Sequence, residues 1–472
     1  MNRYPLWKYI VIVVALVIGL VYTLPNFYGE SPAVQVSSGK ATVKVTEQTL
    51  KTVEDLLRNA DLHPNGIFFE QGAQQNTVRV RFEPTEAEKQ LQAREVLEKA
   101  LNPNREDPAY VVALNLTPNT LEELLFDDIP FLPVAQEEHD AFAKILRDEG
   151  VEVVYLEDLM AEVLDAKPEL RRQFLDQWIY EAGIRTDLYT QIIKDYINSE
   201  YAGTKDMVMK TMAGINLQEL PQKDTHLLVD MVSDRCKLVC APMPNLYFTR
   251  DPFAMIGNGV SINRMYSVTR NRETIYGDYI FNYHPDFKDV PQYYSRENTF
   301  HIEGGDILNI NEHVLAIGIS QRTEPDAIDG IAHNIFNDPT SPVDTILAFN
   351  IPNSRAFMHL DTVFTQIDVD KFTIHPGIMG PLTVFEITPE GEGIKVKETS
   401  GTLEEVLAKY VGMPVTLIPC AGGDRIAAER EQWNDGSNTL CIAPGRVITY
   451  DRNYVTNELL DKKGIDVISI PS

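Results

Sequence analysis

Four short stretches carry residue types that could do chemistry together. In MPNLYFTRDP (243–252), Asn245, Phe248 and Asp251 are arranged around what reads as a strand, and Pro252 requires it to end at the Arg-Asp-Pro turn. A turn carboxylate is the plain alternative use of Asp251. HIEGGDIL (301–308) sets two glycines between Glu303 and Asp306, and a pair without side chains lets the backbone approach another group closely. In HLDTVF (359–364), period-two alternation predicts His359 and Asp361 on one strand face, where an imidazole and a carboxylate can meet the same bound group. A satisfied core histidine is the alternative there. AGGDRIAAEREQWNDGSNT (421–439) contains a second Gly-Gly-Asp and a Trp-Asn-Asp-Gly turn, which composition alone makes a loop and cap.

The rest of the chain must supply folded elements to hold these residues. Its 472 residues suggest two to four domains, and 44% hydrophobic residues fit packed cores rather than disorder. Lys and Arg number 42 against 69 Asp and Glu, a net charge of −27. Such a surface repels phosphate backbones, excludes a nucleic-acid partner and draws cationic small molecules toward a cleft. Four cysteines are too few for a disulfide-built scaffold and fit a reducing compartment. On a strand, the α-carbons of Cys236 and Cys240 would lie about 13 Å apart, too far to bridge or share a metal. Cys420 and Cys441 lack metal-ligand spacing as well.

Residues 9–24 (YIVIVVALVIGLVYTL) are uncharged and almost wholly apolar, with Trp7 and Lys8 before them. They read as a short signal-anchor within residues 1–30, and Arg3 and Lys8 predict a cytoplasmic amino terminus. Residues 31–115 alternate as strand, helix, strand, strand, helix, strand, the order of a small ferredoxin-like α+β domain. TLEELLFDDIPFLPVAQEEHDAFAKILRDEG (120–150) reads as helices leading to a strand VEVVYL (151–156). A helical insertion is expected over about 157–222, and from Cys236 onward strands, glycine turns and short helices recur as in an α/β fold of several similar modules.

The opening residues, with RYPLWKY, LPNFYGE and YVVALNL, resemble the amino-terminal part of SecD, a bacterial protein-export subunit. The four chemical stretches, in their order, resemble arginine deiminase over about 116–472. That resemblance implies a five-module α/β propeller, incomplete here at both ends, with a helical insertion. It implies hydrolysis of L-arginine to L-citrulline and ammonia, with no metal and no organic cofactor.

By the same resemblance Asp251 and Asp361 grip the planar guanidinium, His359 is the general acid and then the base, and Glu303 orients the substrate and tunes the histidine. Arg270 and Arg322 match clamps for the substrate carboxylate, and Asn245 and Phe248 shape the pocket. The family's nucleophilic cysteine belongs to a Gly- and Arg-rich loop after the strand that ends here at VISIPS, so the 472 residues are expected to lack it and to be inactive as they stand. A non-catalytic, membrane-tethered arginine-binding module, an export-machinery fragment and an amidinotransferase are the competing expectations. The resemblance places the deiminase-like part in the cytoplasm, whereas a working anchor at residues 7–24 would place the chain at the inner membrane. Oligomer formation stays open.

Overall fold

The computed structural model describes residues 33–38, 45–71, 76–83, 87–101, 110–114, 132–221, 238–352, 357–379 and 382–471. The expected anchor, Cys236 and the expected helix before residue 132 lie outside the described residues. Among the described residues no helix is long and apolar enough to cross a membrane.

The chain divides into two compact units. The first contains strands β1 (Ala33–Ser38), β2 (Gly66–Gln71), β3 (Asn76–Arg81) and β4 (Tyr110–Leu114), with helices Glu47–Asn59 and Ala87–Leu101 between them. Their order in the sheet is β2-β3-β1-β4, antiparallel throughout, as the strand-helix-strand-strand-helix-strand reading requires. Val34 and Val36 of β1 and Val78 and Val80 of β3 alternate inward to meet Val53 and Leu57 of one helix and Ala93 and Leu97 of the other. Both helical pairs are four residues apart, so each helix puts an apolar stripe against the sheet.

The second unit repeats one module. A hairpin of β7 (Phe253–Ile256) and β8 (Gly259–Ile262) is followed, after helix Thr274–Tyr283, by β9 (Gln292–Tyr294) parallel to β8. The same antiparallel-then-parallel pattern recurs in β10 (Ile307–Asn309), β11 (Val314–Ile319) and β12 (Thr345–Asn350) around helix Pro325–Asn337. It recurs in β13 (Phe364–Gln366), β14 (Lys371–Ile374) and, beyond an inserted hairpin of β15 (Thr383–Glu390) and β16 (Gly393–Glu398), β17 (Thr416–Pro419). The last example is β18 (Leu440–Ala443), β19 (Arg446–Tyr450) and β20 (Asp466–Ile470) around helix Tyr454–Lys462. Strands β5 (Ile215–Asn216) and β6 (Leu238–Cys240) precede these modules and form a two-stranded sheet.

Local chemistry explains why the elements form. Helix Pro325–Asn337 starts with proline in its first turn, where no N–H is needed, and buries Ala327, Ile328, Ile331, Ala332 and Ile335. That stripe packs on Leu315, Ile317, Ile346 and Ala348, and each buried isoleucine contributes about 1.5–3 kcal/mol. Helix Leu403–Val411 is held by a reciprocal cap: Glu405 N donates to Thr402 Oγ at 3.3 Å and Thr402 N to a Glu405 carboxylate oxygen at 2.8 Å. Four helices fill the segment between Leu156 and Ala213, and the buried Trp178 indole donates to Thr211 O.

Three strand expectations are corrected. Residues 151–155 are irregular and a helix starts at Leu156, because the Val-Glu-Val-Val alternation finds no partner strand among the described residues. Residues 244–252 form turns, not a strand, because Pro242, Pro244 and Pro252 remove donors that a ladder would need. Residues 359–363 also turn, and the strand begins only at Phe364. Here side chains and a neighbouring loop capture the backbone: Leu360 N donates to Asp306 Oδ1, Asp361 N to Gly305 O, and Thr362 Oγ to His359 O.

Candidate active site

The modular fold gives the four sequence stretches one structural address. Asp251 lies just before β7, Glu303 to Asp306 just before β10, His359 to Asp361 just before β13, and the Trp433–Thr439 turn just before β18. Equivalent entry loops of successive modules therefore carry the polar residues. Gln432 Nε2 donates to Thr362 O at 2.7 Å, tying the fourth stretch to the third.

At the centre His359 Nε2 lies 2.8 Å from Glu303 Oε2, with both residues buried. Tyr266 N donates to Glu303 Oε1 at 3.0 Å, and Glu303 N donates to Thr323 Oγ at 3.2 Å. One ligand-capable atom from each of Asp251, Glu303 and His359 lies within 4.8 Å of the other two, a spacing that one cation could share, although His359 Nε2 is already bonded to Glu303. Burial works against the imidazolium, yet Asp251, Glu303 and Asp306 together raise His359 to about 10. For Glu303 burial pushes upward, and the hydrogen bond and charge of His359, with Arg322 and Arg270 behind, pull its carboxyl down to about 2. The resting site thus contains a desolvated carboxylate–imidazolium pair.

Asp361 stands beside this pair in a different state. Its Oδ1 is buried without a hydrogen-bond partner, and its Oδ2 is 3.8 Å from Arg250 Nη1. Burial raises it to about 7 despite Arg250 and His359, with Asp251 and Asp306 adding repulsion. Arg322 shows the opposite deficit: Nε and Nη1 are buried without acceptors, although Nη1 lies 3.6 Å from Glu303 Oε1. Its guanidinium is 5.3 Å above the Tyr266 ring.

Arg270, expected as a clamp for a substrate carboxylate, is engaged with the Asp251 end of the cluster. It donates to Asp251 Oδ2 at 2.8 Å, to Glu273 Oε2 at 3.0 Å and to Asn245 O at 3.3 Å. Phe248 lies 5.8 Å beneath its guanidinium and is 46% exposed, so its ring also faces solvent. Asn245 is buried.

The two glycines of the second stretch have separate partners. A Cβ on Gly304 would meet Arg250 O at 1.9 Å, and one on Gly305 would meet His359 Nδ1 at 2.6 Å. Sequence reasoning assigned no role to Arg250, although it precedes Asp251 directly. Its side chain donates to Gly304 O and Ile307 O, fastening the Gly-Gly turn. Ser320, Thr323 and Tyr266 were also missed; their spacing carries no signal until the loops meet.

The described cysteines sit elsewhere. Cys240 is a buried strand residue whose thiol burial pushes up to about 12. Cys420 contacts Thr456 Oγ at 3.4 Å, and Cys441 faces Ile367 O and Ala443 O. Burial raises both of these thiols too, the reverse of an activated nucleophile.

Fold and site together define an α/β protein of repeated hairpin–helix–strand modules whose entry loops assemble a buried acid–base pair flanked by carboxylates and guanidinium groups. Residues 122–472 match the family model for arginine deiminase, and residues 1–114 match that for the SecD export protein N-terminal TM region. The chain belongs to the arginine deiminase family. It is 61% identical over 363 residues to an arginine deiminase of Treponema denticola, covering 76% of this chain and 88% of that protein. An arginine deiminase of Clostridium perfringens is 53% identical over 364 residues, again 76% and 88%. A solved dimethylarginine dimethylaminohydrolase is similar at 16% identity and a TM-score of 0.33, covering 48% of this chain and 70% of that one, too slight a likeness to carry an argument.

Proposed function

We propose that the second unit is the substrate-binding and acid–base part of an arginine deiminase, which converts L-arginine and water to L-citrulline and ammonia. The observation that carries this reading is the pairing of two opposite deficits. Asp361 has a buried carboxylate oxygen with no donor, and Arg322 has two buried nitrogens with no acceptor. One molecule with a guanidinium at one end and a carboxylate at the other satisfies both. Asp251 provides a second carboxylate for the guanidinium, and its present partner is Arg270. Ligand entry then exchanges one guanidinium for another and frees Arg270 to join Arg322 at the carboxylate end, while Asn245 and Phe248 line the approach.

Chemistry follows from the loaded imidazolium. A thiolate adds to the guanidino carbon, the C–N bond breaks, and His359 gives its proton to the departing ammonia. Neutral His359 then takes a proton from water as that water adds to the same carbon, and expulsion of the thiolate leaves citrulline. Glu303 stabilises the imidazolium throughout. The thiolate in this scheme belongs to the family's loop after the strand equivalent to β20, because raised thiol pKa values and their contacts argue against Cys240, Cys420 and Cys441. On this reading the modules close as a five-module propeller and the deiminase part works in the cytoplasm. Because their thiols are not activated, Cys240, Cys420 and Cys441 are not expected to supply the nucleophile.

Calorimetry with L-arginine and a citrulline assay, on residues 1–472 and on the same chain extended by the family loop with its cysteine, test the reading. Binding by both and citrulline from the extended chain only is the expected pattern. A well-folded extended chain that binds arginine and makes no citrulline would overturn the chemistry, and turnover by residues 1–472 would overturn the assignment of the nucleophile.

A further inference from the structure

Asp306 is completely buried at the end of the Gly-Gly-Asp turn, and each of its oxygens is used. Oδ1 accepts from Leu360 N at 2.8 Å, between His359 and Asp361. Oδ2 accepts from Ser320 Oγ at 2.6 Å and from Thr323 Oγ at 2.7 Å, on either side of Arg322. Both hydroxyls are already acceptors: Ser320 Oγ takes Arg322 N at 2.9 Å and Thr323 N at 3.2 Å, and Thr323 Oγ takes Glu303 N. Their protons therefore point at Asp306, and three donors converge on one carboxylate. The fit is close, since a Cβ on Gly318 would come within 2.3 Å of Oδ1. Burial pushes Asp306 up to about 6 against the pull of His359 and these donors, so the carboxylate is the prevailing form at neutral pH.

We propose that Asp306 is a positioning residue that sets the distance between the guanidinium end of the site, at His359 and Asp361, and the carboxylate end, at Arg322. The inference rests on the deiminase reading of the site and deepens it: Asp306 makes the pocket measure its ligand, so that a guanidine with a carboxylate at arginine's separation is preferred over one without. The two oxygens divide the task. An asparagine can still accept from Leu360 N through its carbonyl oxygen, but its NH2 would face Ser320 Oγ, whose lone pairs are already taken. The Arg322 loop is thereby released while the His359 turn stays held.

The test compares binding of L-arginine and of agmatine, which is arginine without its carboxylate, by calorimetry on the 472-residue chain and on Asp306→Asn and Ser320→Ala. Loss of a hydrogen bond to a buried charge predicts that Asp306→Asn weakens L-arginine about tenfold or more and leaves agmatine within about twofold. Ser320→Ala, which removes only one hydroxyl of the bridge, should shift the same preference in the same direction by a smaller factor. An unchanged arginine-to-agmatine preference in both folded variants would overturn the proposal while leaving the deiminase reading intact. Equal affinity of the unmodified chain for the two ligands would instead remove the Arg322 clamp from that reading, and this proposal with it. If Asp306→Asn does not fold, the Ser320→Ala comparison decides, and an unshifted preference there counts against the role.

Discussion

His359 Nε2 and Glu303 Oε2 lie 2.8 Å apart in a buried site, and the neighbouring carboxylates keep the imidazole protonated well above the ordinary range of histidine. The imidazole is therefore charged before any ligand arrives. Glu303→Gln removes the counter-charge, and His359 should then titrate well below its present value of about 10, as read by NMR of the ring protons. The linkage has a definite sign. A histidine raised from 6.5 to about 10 adds stability that is complete below 6.5 and disappears as pH rises through about 10. Denaturant unfolding of the unmodified chain should show that alkaline loss, and Glu303→Gln should flatten it while costing about 3–5 kcal/mol at neutral pH.

Asp361 carries the opposite prediction. Its carboxyl, raised from 3.8 to about 7 by burial, keeps a proton that the unfolded chain has released, so this group destabilises the fold increasingly as pH rises through that window. Asp361→Asn should be more stable than the parent at pH 8, by about 1–3 kcal/mol in urea unfolding. It should also lose most arginine affinity, by about 2–5 kcal/mol.

Arginine binding should tighten as pH rises toward about 7 and then level, because the guanidinium needs Asp361 ionised. Below that pH, binding should release a proton, visible as a heat that depends on the ionisation enthalpy of the buffer. A pH-independent affinity that survives in Asp361→Asn would remove Asp361 from the guanidinium end.

Gly304 and Gly305 should fail differently when given a methyl group. Gly304→Ala drives a Cβ to 1.9 Å from a backbone carbonyl that cannot retreat, and a loss of more than about 3 kcal/mol is expected. Gly305→Ala meets the His359 ring at 2.6 Å, so a folded protein with a displaced imidazole is the expected result. Its signature is a lowered His359 titration together with a lower melting temperature at neutral pH, because the stability carried by the His359–Glu303 pair is lost with it.

The apolar run of residues 7–24 and the charges before it predict membrane association. The full chain should resist alkaline carbonate extraction, whereas a chain starting near residue 31 should be extracted. Recovery of the intact full chain in the soluble fraction would remove the anchor.

The sequence by itself singled out the polar stretches that the fold brings to one set of loops. Its four stretches name His359, Glu303, Asp251 and Asp361, because residue type and local order survive without coordinates. It also determined the four-stranded first unit, where period-two strands and i,i+4 helix pairs are local signals, and the run of helices between Leu156 and Ala213. Tertiary structure decided what the strands around the site would become. Proline and side-chain bonding turned 244–252 and 359–363 into loops, since the donors a ladder would use are missing or captured by Asp306 and Gly305. It also decided the partners. Arg270 lies 19 residues from Asp251, Glu303 lies 56 from His359, and Asp306 lies 54 from Leu360, separations that no periodicity encodes. The Glu303–His359 and Asp306–Leu360 contacts exist because repeated modules bring equivalent entry loops together, where burial then sets each group's charge.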